Sequence, residues 1–82
     1  MRQAEPKTPL MALLRQLDDV QRAALADKAR TTVSYLHHIA GCAREPRVRL
    51  AHRIAQASEW VNKRWGTAVI TLEQLATMCD EV

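Results

Sequence analysis

The stretch KARTTVSYLHHIAG, Lys28 to Gly41, gathers threonines, a serine and two adjacent histidines into one short segment. Hydroxyl and imidazole groups can hold a metal, activate a nucleophile or hydrogen-bond a partner, and spacing separates these uses. Neighbours on a helix diverge by about 100°, so His37 and His38 cannot chelate one ion together. His38 and Cys42 stand four apart with Gly41 between them, and no second pair at ligand spacing accompanies them, so no metal site is expected. Ser34, His52 and the scattered carboxylates fall at no spacing that activates a nucleophile, and so small a domain has little room for a pocket. The chain therefore does not read as an enzyme, and no cofactor or small-molecule ligand is evident. Cys42 and Cys79 are too few and too far apart for a disulfide framework; they read as an incidental loop thiol and a packed small hydrophobe.

What remains is a polar surface, and the elements around it decide where it faces. The 82 residues allow one small domain with one core, and 48% apolar residues with only two glycines and three prolines suit an all-α fold. Residues 1–7 read as a loose polar tail and residues 8–82 as the single domain. Thr8-Pro9 caps a first helix with Leu10, Leu13, Leu14 and Leu17 on one face. Asp18 and Asp19 lead into a second, Val20 to Ala29, with a narrow stripe of Ala24, Leu25 and Ala29. Thr32 caps a third, Val33 to Ala40, which Gly41 stops. After a loop, Cys42 to Pro46, a longer helix from about Arg47 to Trp65 has Leu50, Ile54, Ala57, Val61 and Trp65 at buried spacing, with Gly66 as its cap. Thr67 to Ile70 reads as extended. Thr71 and Gln74 then form a capping box for a fifth helix, Leu72 to Cys79, with Leu75, Ala76 and Met78 available for packing.

Charge is uneven along this frame. Residues 30–53 carry five arginines against Glu45 alone, a net of +4, and hold all three histidines, whereas the whole chain is only +3. A basic segment on a near-neutral scaffold is the footprint of a polyanion binder. No apolar run approaches the roughly 20 residues that span a bilayer, and the chain starts without a secretory pattern, so no membrane partner is expected and a cytosolic setting with reduced thiols is the default.

Two short helices joined by a three- or four-residue turn, the second opened by a hydroxyl cap, make a helix-turn-helix. Leu25, Ala29, Leu36 and Ile39 would hold that pair together, and helical periodicity sends Val33, Ser34, His37 and His38 outward, toward DNA if the basic surroundings are the guide. At these residues the sequence resembles the Cro/repressor-type helix-turn-helix family, whose members read L-A-x-K-L-G-V-S-x-x-x-[ILV]-x-x-[IL]-x-x-G, then a basic loop, proline and L-A-x-x-[IL]-A. The segment LADKARTTVSYLHHIAGCAREPRVRLAHRIAQA matches at Leu25, Ala26, Lys28, Thr32 in the serine cap position, Leu36, Ile39, Pro46, Leu50, Ala51, Ile54 and Ala55. The resemblance covers Gln21 to Ala57, and GTAVITLEQL is similar to the ending of some short prophage-encoded members. The family has glycine where this chain has Arg30 and Cys42; a one-residue shift at Gly41 is expected to relieve the second, and the turn at Arg30 to differ in detail.

The resemblance implies a compact five-helix lambda-repressor-like domain and a function: a sequence-specific transcriptional regulator, a Cro-like repressor of phage or prophage type, on double-stranded operator DNA. It implies that Val33, Ser34, His37 and His38 meet base edges, and that Arg22, Thr32, Arg44 and Arg47 contact phosphates. It also implies a palindromic operator and a homodimer, at least on DNA. Trp60, off the buried stripe, reads either as the candidate interface anchor, together with Val69 to Met78, or as cover for the small core beneath the C-terminal segment. Two other readings keep the fold: an antitoxin-type autorepressor, and a protein-interaction module without DNA binding.

Overall fold

Helix starts and stops follow the capping residues closely. In the computed structural model, which describes residues 8–80, the Thr8 hydroxyl accepts a hydrogen bond from the Met11 amide and opens α1 (Pro9–Gln16), with proline in the first turn. The tail read for residues 1–7 lies outside the described residues. Asp18 and Gln21 exchange side-chain and backbone bonds in a capping box that starts α2 (Asp19–Lys28) one residue earlier than expected. Thr32 caps α3 (Val33–Ala40) through the Tyr35 amide. α4 (Val48–Trp65) follows Arg47 and ends at Gly66, whose φ of 70° is the left-handed conformation glycine adopts freely. Thr71 and Gln74 form the capping box of α5 (Leu72–Thr77), which stops two residues short of the expected end.

The described residues hold five helices and no strand, gathered around one core: α2 packs on α3 and α4, α1 on α3, and α5 on α4. The radius of gyration of 11.7 Å is that of a compact chain of this length, about 11–12 Å. Leu10, Leu13, Leu14, Leu25, Leu36, Ile39, Ile54 and Val61 are fully buried, as the periodicity assigned, whereas on α2 Ala26 is buried and Ala24, assigned to the stripe, is only half-buried. The far end of α4 differs. Trp65, assigned to its buried stripe, is 37% exposed, and Leu50 at the near end is only half-buried. Helix ends extend past the core, so a stripe continued to the last turn overshoots the neighbours that bury it.

Side chains also tie the ends of helices together. The buried Thr8 hydroxyl donates to the Ala40 carbonyl at 2.8 Å, joining the start of α1 to the end of α3. Ser58, wholly buried, accepts from the Ile70 amide at 2.9 Å, with its one hydroxyl proton shared between the Ala55 carbonyl at 2.7 Å and the Ile70 carbonyl at 3.1 Å, and so docks the segment before α5 on α4. Each bond satisfies a backbone group that burial would otherwise leave unpaired.

Both positions where the resembled family has glycine adopt positive φ here: Arg30 at 58° and Cys42 at 66°. Gly41 does not relieve the second, since its φ is −87°. Each of the two helix ends is closed by backbone bonds. Arg30 N–H donates to the Asp27 carbonyl and Thr31 N–H to Ala26; Cys42 N–H donates to Ile39 and Ala43 N–H to His38, the paired pattern of a Schellman cap. Arg53 adds a bond from Nε to the Ala29 carbonyl at 2.9 Å, bracing the first turn from α4. Backbone bonding therefore holds a conformation that costs a non-glycine residue about 1–2 kcal/mol. Arg30→Gly is expected to stabilise the domain by about 0.5–1 kcal/mol after the entropy of the unfolded glycine is deducted, read as a rise in the urea midpoint. A lower midpoint would mean that the arginine side chain contributes more than its backbone costs.

The cysteines overturn their sequence reading. Cys42 and Cys79 form a disulfide, with Cα atoms 5.7 Å apart, that joins the turn after α3 to the turn after α5. Sequence distance was the wrong measure, because the fold returns residue 79 to the end of α3. Paired in this way, the two cysteines do not indicate a reducing setting. No helix among the described residues is long and apolar enough to cross a membrane.

Candidate nucleic-acid interface

The turn between α2 and α3, the outer face of α3 and the loop into α4 form one continuous polar region. Ser34, His37 and His38 are exposed, and their i, i+3, i+4 spacing sets them on one side of α3. Val33 lies differently: it is half-buried and packs against the core, leaving only part of its side chain at the surface. A β-branched residue in the first turn can do both, because its two methyls diverge from one Cβ.

Thr32 is exposed at the start of α3, with its hydroxyl oxygen already accepting from the Tyr35 amide. Arg44 and Arg47 are exposed in the following loop. Arg22 stands apart from them. Its Nε donates to the Leu14 carbonyl at 2.7 Å and its Nη1 meets Asp19 at 3.3 Å, with 28% of its side chain exposed. It closes the end of α1 and has less of its guanidinium available to a phosphate than the resemblance implies.

Thr32, Arg44 and Arg47 share a cleft of about 830 Å³ with Thr31, Tyr35, Leu50, Arg49 and Arg53. Glu45 is the single carboxylate in its lining, and among the described residues none of its arginines is in a salt bridge. Four guanidinium groups around one concave surface give a positive potential focused by low-dielectric walls. The sequence reading missed Arg49, Arg53 and Tyr35. Arg49 and Arg53 were legible in principle, since they are four apart and off the Ile54 stripe. Tyr35 was not, because only the packing of both α3 and α4 on α2 brings it into the same lining as the α4 arginines.

Trp60 is half-buried against the core and makes an edge-to-face contact with Trp65, ring centroids 5.9 Å apart. Lys28 Nζ lies 4.9 Å from the Trp60 ring and the Arg64 guanidinium 5.0 Å from it. The side chain so serves both as core cover and as the centre of a cationic, aromatic surface. Among the described residues no three His, Cys, Asp or Glu side chains group as a metal site would need. No protein-family model, curated protein or solved structure matches this chain.

Proposed function

We propose that this protein is a DNA-binding transcriptional regulator whose α2-turn-α3 unit acts as a helix-turn-helix of the Cro/repressor type, with α3 in the major groove. The observation that carries this reading is the adjacency of two surfaces. An exposed polar helix face, Ser34, His37 and His38, sits beside a cleft lined by Arg44, Arg47, Arg49 and Arg53. Such an arrangement suits base reading flanked by phosphate contacts. Repression by operator occupancy, in the bacterial cytoplasm or nucleoid, follows from the resemblance. The positive φ at Arg30 and Cys42, where that family has glycine, adds support from backbone geometry.

Selection of bound duplexes from random DNA tests the proposal. A twofold-symmetric motif is expected, and it would also identify the functional unit as a dimer, with Trp60 and its neighbours the first surface to mutate. On the selected site, Ser34→Ala or His38→Ala should change the preference at one base position by about 1–3 kcal/mol. Arg44→Ala or Arg47→Ala should instead weaken all sequences alike and reduce the salt slope by about 0.9. No enrichment by folded protein would remove the regulator and favour a protein-interaction module.

A further inference from the structure

The arginine-lined cleft is more strongly charged than a single backbone phosphodiester requires. Arg44, Arg47, Arg49 and Arg53 face it against Glu45, an excess of three positive charges within one concavity. Arg53 is held in place by its Nε bond to the Ala29 carbonyl. Arg47 stands at the start of α4, where no side chain caps the first-turn amides, so the helix adds unpaired N–H donors and the positive end of its dipole. Tyr35 and Leu50, both half-buried, form an apolar stretch of the same lining. The volume of about 830 Å³ lies within the range of small-molecule sites, roughly 300–1,000 Å³.

We propose that this cleft is a polyphosphate-binding site that takes a nucleoside di- or triphosphate, its phosphates on the four arginines and its base against Tyr35 and Leu50. Guanidinium groups match phosphate oxygens with paired hydrogen bonds, and several of them together favour adjacent phosphates over an isolated one. Binding of the nucleotide stands independently of the DNA reading. Competition with DNA rests on that reading: Arg44 and Arg47 serve both ligands, so a bound nucleotide displaces the duplex.

The test is calorimetric titration of the full chain with inorganic triphosphate, ATP, adenosine and sulfate at one ionic strength. Triphosphate is expected to bind one to one and more tightly than sulfate, ATP more tightly than triphosphate, and adenosine without detectable heat. Arg49→Ala should weaken triphosphate and ATP about tenfold. Lys63→Ala, which removes an exposed charge on the last turn of α4 and outside the cleft lining, should change neither more than about twofold. Arg49 is exposed and its variant should fold; Arg47→Ala reads the same lining if it does not. Triphosphate binding no tighter than sulfate, or equal losses from Arg49→Ala and Lys63→Ala, would overturn the site. ATP binding no tighter than triphosphate would overturn the role given to Tyr35 and Leu50. In a second arm triphosphate is added to protein on a labelled duplex, where displacement is expected. Triphosphate binding by a protein that binds no duplex would remove the regulator and leave the cleft, whereas duplex binding untouched by saturating triphosphate would overturn the shared site.

Discussion

Reduction of the Cys42–Cys79 bridge, or replacement of both cysteines by serine, is expected to lower the unfolding free energy by about 3–4 kcal/mol. The two residues are 37 apart, and closing a loop of that length in the unfolded chain removes entropy of this size in the chain-entropy account. A domain this small has a total stability of about 4–12 kcal/mol, so the loss is a large fraction of the whole. The bridge also holds α5, whose six residues are far too few to be helical alone and which is anchored otherwise by Leu75, Met78 and the Ser58 bonds to Ile70. Urea unfolding with and without a dithiol reductant measures the difference. An unchanged midpoint would show that the oxidised and reduced proteins are equally stable and that the core alone holds α5. Cys42 sits at φ 66°, so with Cys79→Ser in place, Cys42→Gly should recover about 1 kcal/mol relative to Cys42→Ser. The population of folded protein is therefore sensitive to the redox state of the bridge.

Leu36→Ala is expected to cost about 2–5 kcal/mol, a large fraction of the stability of a domain this small. Leu36 is wholly buried on the inner face of α3, in the core that α1, α2 and α4 also build, and truncating it removes buried methyl groups and leaves a cavity. Ser34, two residues earlier, is exposed, and Ser34→Ala should change stability by less than about 0.5 kcal/mol. Thermal unfolding and duplex binding measured on both variants separate the two faces of one helix. Leu36→Ala should lose binding in step with its unfolded fraction, and Ser34→Ala should alter base preference while remaining folded. A stable Leu36→Ala protein would contradict the packing described for α3.

Much of this molecule was legible because local chemistry dictates it. Thr8, Thr32 and Thr71 announce helix starts by bonding the amide three residues on, and Gly66 ends α4 because it enters the left-handed region without steric cost. The leucines of α1 and the Leu36, Ile39 face of α3 follow from helical spacing, which a core enforces wherever neighbours surround the helix. The exposure of Ser34, His37 and His38 follows from the same geometry, as their positions are the ones the core leaves over.

Other features exist only where distant segments meet. Sequence spacing argued against a bond between Cys42 and Cys79, because the return of α5 to the end of α3 is a property of the packed helices. The left-handed conformations of Arg30 and Cys42 depend on whole-turn hydrogen bonding, and at Arg30 also on Arg53 reaching across from α4. The diversion of Arg22 to Leu14, the exposure of Trp65 and the joining of Tyr35 to four arginines have the same origin. The amino-acid sequence by itself determined the five helices, most of their buried faces and the basic middle of the chain, since these depend on residues within a few positions of one another. Tertiary structure alone decided the disulfide and the cleft, because both are made by side chains that only long-range packing brings within reach.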